Sequence, residues 1–98
     1  MFYKEIDPTT AADTVIGELD CTKTRRAAFQ LLSDAAGTAK IVIQGSIDKK
    51  SWVTFGTMST KVGQPEDGGN AEFIWPYVRC KVEEIGTAKA YVSIITRV

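Results

Sequence analysis

The chain has 98 residues, with twelve Lys or Arg, twelve Asp or Glu and no His, so its formal net charge is zero. This length predicts a single domain, and a neutral chain is a poor candidate for nucleic-acid binding, which depends on neutralising phosphates. No apolar run approaches the ~20 residues that span a bilayer, and residues 1–5 do not begin an apolar signal-peptide core. We therefore expect no transmembrane helix and no signal peptide.

β-Branched residues dominate the composition. Val, Ile and Thr together number 28 of the 98 residues, whereas Leu numbers three. Such side chains favour pleated strands and lose rotamer freedom in helices. The composition predicts an all-β protein.

The first third of the chain contains an arm and two strands. Residues 1–13 lack periodicity and are predicted to be an N-terminal arm with one short edge strand at most, preceding a sandwich domain of residues 14–98. The apolar residues of this arm dock either on their own domain or on a neighbouring subunit. Residues 14–19 predict a short strand. Residues 25–33 also suit a helix, but the overall composition favours a strand, followed by a turn at residues 33–37.

The middle of the chain predicts a hairpin. Residues 38–47 alternate with a period of two and form the clearest strand. The polar loop 48–51 then leads directly into a partner strand at residues 52–58. Residues 59–72 hold three glycines and a proline, so we expect a long loop there, with residues 61–72 forming a contact loop ordered against a partner.

Two further strands complete the chain, at residues 73–85 and 88–98. Six to eight short strands at regular spacing are typical of a single antiparallel β-sandwich or small barrel. Side-chain parity predicts a core of Ile41, Ile43, Trp52, Val78, Cys80, Val82, Val92 and Ile94. Trp52 follows the hairpin loop and is expected to plug one end of the sandwich, whereas Trp75 is expected to be partly exposed.

The residue types offer little for catalysis. Without His, a Ser-His or Cys-His dyad is impossible, and the acidic residues are scattered over predicted turns. The segment 66–70 lacks the alternating ligands of a calcium loop. Cys21 and Cys80 have no zinc or redox spacing and are expected to be thiols in a reducing compartment. We expect no enzyme activity, cofactor, metal or small-molecule substrate.

Several side chains are candidates for a protein interface, because aromatic residues and Arg are enriched there. Apolar residues of the arm, a basic pair and three residues around the start of the penultimate strand qualify. These candidate interface residues are Phe2, Tyr3, Ile6, Arg25, Arg26, Trp75, Tyr77 and Arg79.

Two segments carry a resemblance to known families. Gly45-Ser46, Asp48 and Trp52 are followed by Tyr77-Val78-Arg79 and Val82, a pattern that resembles small virion proteins of tailed bacteriophages. It is also similar to half of a discoidin-type jelly roll, although discoidin domains are longer. The resemblance covers roughly residues 40–98 and implies a jelly-roll-like sandwich, but no individual binding residue.

The resemblance implies a virion structural protein, assembled in the host cytoplasm. The expected role is a capsid decoration (cement) protein that forms homo-oligomers and binds the major capsid protein. A neck or tail component is the alternative within the same class, and the sequence does not separate the two. A carbohydrate-binding module, with Trp52, Trp75 or Tyr77 as its platform, is the alternative from a different class.

Overall fold

A computed structural model describes residues 1–34, 37–72 and 74–98, and it confirms the all-β prediction. Two four-stranded antiparallel sheets pack face to face as a sandwich. We name the sheet with the order β1-β8-β3-β6 sheet A and the sheet with the order β2-β7-β4-β5 sheet B. The strands are β1 (Phe2–Ile6), β2 (Val15–Asp20), β3 (Arg26–Ser33), β4 (Ala39–Ser46), β5 (Val53–Thr60), β6 (Glu66–Ala71), β7 (Tyr77–Ile85) and β8 (Ala90–Arg97).

The connections make the sandwich a jelly roll. Only β4 and β5 are consecutive strands of the same sheet, paired as the predicted hairpin. Every other pair of consecutive strands crosses from one sheet to the other. Eight strands wound in this way are the jelly-roll arrangement, as the sequence predicts.

The core lies between the sheets and follows the period of two along the strands. Seven of the eight predicted core residues are buried: Ile41, Ile43, Val78, Cys80, Val82, Val92 and Ile94. Leu31, Phe29, Met58 and Ala90 join them. Of the predicted residues 25–33, residues 26–33 form strand β3 rather than a helix, and alternate residues of β3 face this core.

The prediction for Trp52 is wrong, and a β-bulge explains why. The register between β4 and β5 shifts at Ile43 and Gln44, so that Phe55 is an extra residue between the paired Thr54 and Gly56. One extra residue moves all preceding side chains to the opposite face. Trp52 therefore lies on the outside of sheet B and is half-buried there.

Five residues of the predicted arm are a strand of the sandwich. β1 pairs with β8 in antiparallel register from Phe2 opposite Ile94 to Ile6 opposite Ala90. Ile6 is only 1% exposed, and the Phe2 ring covers Gly17 of β2 in the other sheet. The arm docks on its own domain, which was one of the two alternatives.

The predicted loop 59–72 contains two strand segments. β5 continues to Thr60, a bridge joins Lys61 to Gln64, and β6 pairs along β3 at the edge of sheet A. A carboxylate oxygen of Asp67 accepts a hydrogen bond from the Ser59 backbone N–H at 2.8 Å, which ties the edge of sheet A to that of sheet B. Residues 35, 36 and 73, which fall in the predicted turn 33–37 and at the start of the strand 73–85, lie outside the described residues.

The β4–β5 loop is fixed by side-chain hydrogen bonds. Asp48 Oδ1 accepts the backbone N–H groups of Lys50 and Ser51 at 2.8 and 3.1 Å. The buried Ser46 hydroxyl donates to the same carboxylate and accepts the Lys49 N–H. Lys49 has a φ of 66°, a left-handed conformation that such turn contacts stabilise. These bonds lower the pKa of Asp48 below its ordinary value, with the N–H groups of Ser51 and Lys50 as the largest causes.

Candidate interaction surfaces

The outer face of sheet B carries a polar network around Arg79. Its Nε donates to Gln44 Oε1 at 2.7 Å, and Gln44 Nε2 donates to Thr54 Oγ1 at 3.2 Å. The Arg79 guanidinium also lies 4.3 Å from the centroid of the Trp52 ring, a cation–π distance. Three neighbouring strands and the hairpin loop are thereby joined across the outside of the sheet.

Most of the other charges on this face are also paired with side chains of the same face. Lys49 lies over the Tyr77 ring at 4.7 Å and 3.4 Å from a Glu18 carboxylate oxygen. Further ion pairs join Lys40 to Glu83 and Lys81 to Asp13. Most charges of this face are thus paired within it, although Glu84, opposite Lys40 in the register, has no ion pair among the described residues.

The outer face of sheet A is different, because its centre is uncharged. Register places Tyr3, Ser93, Gln30 and Gly68 in one row across the four strands, with Ile95, Ala28 and Asn70 in the next row. We call these two rows the neutral stripe. A shallow groove of about 640 Å³ lies over part of the stripe and is bordered on one side by Glu66 and Asp67. Tyr3 is 57% exposed and Ile95 is 38% exposed, so the stripe presents apolar surface to solvent.

Opposite charges flank the neutral stripe along the strands. At one end, Arg26 lies directly opposite Arg97, and Arg25 lies beside both around a surface hollow. Like charges in direct cross-strand contact are unfavourable. Within the described parts of the chain, none of these three arginines has a carboxylate within 4.0 Å, since all four ion pairs there are formed by lysines. Glu72 lies near Arg25 and Arg26 without such a contact. We call the three arginines the basic end.

Acidic side chains follow the other end of the stripe. Register places Glu5, Tyr91, Leu32 and Glu66 in the next row, and Asp34 accepts a hydrogen bond from the Tyr91 hydroxyl at 3.4 Å. Glu5 pairs with Lys89 at 3.3 Å, whereas Glu66 is exposed. We call Glu5, Asp34 and Glu66 the acidic end.

The structure distributes the predicted interface residues over several places. Tyr3, Arg25 and Arg26 lie on the outer face or at the basic end of sheet A. Tyr77 and Arg79 lie on the outer face of sheet B, in its paired network. Phe2 and Trp75 are partly buried against the core. Trp75 is thus partly exposed, as predicted. Ile6 is fully buried and is therefore a core residue that no partner of the folded chain can contact.

Sequence reasoning missed the neutral stripe as a unit. The alternation along β3 and β8 already places four of its residues on the outer faces of their strands: Ala28, Gln30, Ser93 and Ile95. Which strands are neighbours is not visible in that alternation, and β6 with its Gly68 was not recognised as a strand. The pairing of β8 with both β1 and β3, and of β3 with β6, brings the residues of the stripe together.

The chemically reactive groups are few. Cys21 and Cys80 are both free and buried, and burial raises the pKa of the Cys80 thiol to about 12. A thiol with a raised pKa is a poor nucleophile, because the thiolate is the reactive form. Among the described residues, no three His, Cys, Asp or Glu side chains cluster as a metal site would require. No helix in the described ranges could cross a membrane.

Comparisons with known proteins identify the fold. No protein-family model matches the sequence, and a search of curated proteins finds no match. Among solved structures, the chain is similar to PirA, with a TM-score of 0.59 and 10% identity over 98% of this chain and 92% of that one. It is also similar to the SPBc2 prophage-derived protein YomS, with a TM-score of 0.61 and 6% identity over 98% of this chain and 94% of that one. At these identities the likeness is one of fold.

Proposed function

We propose that the chain is a non-enzymatic structural protein of a phage particle, a capsid decoration protein that acts through its outer surface. One observation carries this proposal. The outer face of sheet A combines an uncharged, partly apolar centre with three arginines that form no ion pair among the described residues at one end and the exposed Glu66 at the other, while the outer face of sheet B pairs most of its charges internally. Exposed apolar surface rimmed by polar groups marks interaction sites.

The fold comparison supports the proposal that the particle is a phage. YomS is prophage-derived, and the similarity extends over nearly the whole of both chains. The hairpin and Tyr77-Val78-Arg79 pattern of the sequence resembles small virion proteins in the same way. Both arguments favour a small jelly roll that serves as a building block.

The partners follow from this role. They are further copies of the chain and the major capsid protein, and the site of action is the virion. The zero net charge removes the repulsion that would oppose close packing of identical copies. A neck or tail component would use the same surfaces but would be present in few copies.

Co-sedimentation with purified particles tests the proposal. Tagged chain is added to particles from the phage whose genome encodes it, stripped of their own copies, and bound chain is measured over a range of concentrations. We expect saturable binding at a fixed ratio to the capsid subunit. A chain that stays in the supernatant at every concentration would contradict the proposal, and saturation at a few copies per particle would favour the neck or tail.

A carbohydrate-binding module is the second candidate, and the outer face of sheet B supports it. Arg79 stacks on Trp52 there, and Tyr77, two residues before Arg79 on β7, has Lys49 over its ring. Aromatic side chains with nearby polar groups suit a sugar. Since Trp75 packs against the core, Tyr77→Ala and Trp52→Ala are the informative variants. Binding to a glycan array that both variants abolish would favour this function over the structural one.

A further inference from the structure

We propose that two copies of the chain form a symmetric dimer by packing the outer faces of their A sheets against each other. The inference rests on the proposed function, since it names the surface through which a self-assembling structural protein would meet its own copy. The neutral stripe forms the centre of the contact, and the basic end of one copy meets the acidic end of the other.

Charge decides which two-fold axis relates the copies. An axis parallel to the strands would place the basic end of one copy on the basic end of the other. An axis in the interface and perpendicular to the strands reverses the strand direction, so each basic end meets an acidic end. A two-fold interface is made of the same patch on both subunits, and this patch is self-complementary only for the perpendicular axis.

Register then gives the paired residues. With the axis between the two rows of the neutral stripe, the row of Arg26 and Arg97 faces the row of Tyr91 and Leu32 in the other copy. Arg26 comes close to the partner's Glu66, which is cross-strand from Leu32. Arg97 likewise comes close to the partner's Glu5, which is cross-strand from Tyr91. Each contact occurs twice by symmetry.

The centre of the contact is small and flat enough for two sheets to approach. Ala28, Gly68 and Ser93 have little side chain above the sheet, and Ile95 and Tyr3 supply exposed apolar surface. A sheet stacked on another lies about 10 Å away, a spacing that small central residues permit. No charged residue would be desolvated in these two rows.

The available area predicts a weak dimer. β3 and β8 are about 26 Å long, whereas β1 and β6 are about 17 and about 20 Å long, so four strands about 4.8 Å apart cover roughly 430 Å² on each copy. The total of about 860 Å² is below the ~1,000 Å² that a stable specific interface usually buries. The dimer is therefore expected to dissociate on dilution, and high local concentration on a particle would favour it.

Single charge reversals test the proposal. Arg26→Glu places a carboxylate opposite the partner's Glu66 twice, and Glu66→Arg places a guanidinium opposite the partner's Arg26 twice. Each variant alone is expected to weaken dimerisation by roughly tenfold or more, measured by sedimentation equilibrium. A mixture of the two variants restores attraction at both contacts and is expected to recover the dimer. Both residues are exposed, and circular dichroism checks that each variant folds.

Lys50→Glu, in the β4–β5 loop away from sheet A, is the control for a change of net charge and is expected to dimerise like the wild type. A wild-type chain that stays monomeric at millimolar concentration would overturn the proposal. So would Arg26→Glu that dimerises unchanged, or a mixture that does not recover. Particle binding is measured separately, so a monomer that still co-sediments would refute this interface and leave the proposed function standing.

Discussion

The ring of Trp75 lies directly over Gly45, so closely that a methyl group on Gly45 would overlap the ring. Gly45 is a buried residue of β4, and Trp75 packs partly against the same core. This contact closes one end of the sandwich. Trp75 thus performs the plugging role that the sequence pattern suggested for Trp52.

Gly45→Ala is therefore expected to destabilise the fold by about 1–3 kcal/mol, which is typical of overpacking. Trp75 has to move for the added methyl to fit. Gly69→Ala is the matched control, because nothing lies within 4 Å of a Cβ at that position. Urea denaturation measures both free energies of unfolding, and equal values for the two variants would contradict the close contact.

The stacking of Arg79 on Trp52 predicts a measurable coupling. A double-mutant cycle of Arg79→Ala and Trp52→Ala is expected to give a coupling energy of about 0.5–1 kcal/mol, as for other exposed cation–π pairs. Arg79→Lys keeps the charge but loses the planar group that donates to Gln44, so it is expected to retain only part of the coupling. Strict additivity of the two alanine substitutions would show that the ring and the guanidinium do not interact in solution.

The buried Ile6 makes β1 part of the stable fold. Ile6→Ala is expected to cost about 2–5 kcal/mol, because it leaves a cavity at a position that is 1% exposed. Tyr3→Ala, on the same strand but facing solvent, is expected to change the free energy of unfolding far less. Thermal unfolding compares the two, and similar melting temperatures would place β1 outside the cooperative unit.

The lowered pKa of Asp48 predicts that the fold loses stability in acid. Its pKa is lowered in the folded chain, so its contribution is present above the ordinary aspartate value of 3.8 and is lost as pH falls towards the folded value. Asp7 and Asp20 have pKa values lowered in the same direction, each chiefly by the backbone N–H two residues later.

We expect the free energy of unfolding to fall as the pH drops through 3.8 towards the lowered pKa values of the folded chain, and to fall less steeply in Asp48→Asn. Glu84→Gln, on the exposed side of β7, serves as the control. Denaturant titrations at each pH measure the free energy of unfolding, and hence its slope against pH. An unchanged slope in Asp48→Asn would mean that the loop hydrogen bonds do not persist in solution.

Local alternation was sufficient to predict much of the fold. β8 and most of β7 have clear period-two patterns, and β4 follows the same period less strictly, because Val42 is also buried. The core residues Ile41, Val82 and Val92 follow directly from these patterns. Predicting the buried face from side-chain alternation fails where the strand pairing contains a bulge. The bulge in β5 turns Trp52 outwards, and nothing in the sequence marks its position in advance.

Non-local pairing accounts for the rest. β6 (Glu66–Ala71) has two glycines and no apolar alternation, and it is a strand because the edge of β3 offers backbone partners. The two ends of the neutral stripe come from Arg26, Arg97, Glu5 and Glu66, which are far apart in sequence. Their arrangement depends on the strand order, which the sequence pattern did not supply.

The copy number of the chain in purified phage particles tests the central claim most directly. Quantitative mass spectrometry, with the major capsid protein as internal reference, measures it without any variant. A decoration protein is expected in many copies, at a simple fixed ratio to the capsid subunit. Absence of the chain from intact particles would contradict the account, and a handful of copies would restrict it to the neck or tail.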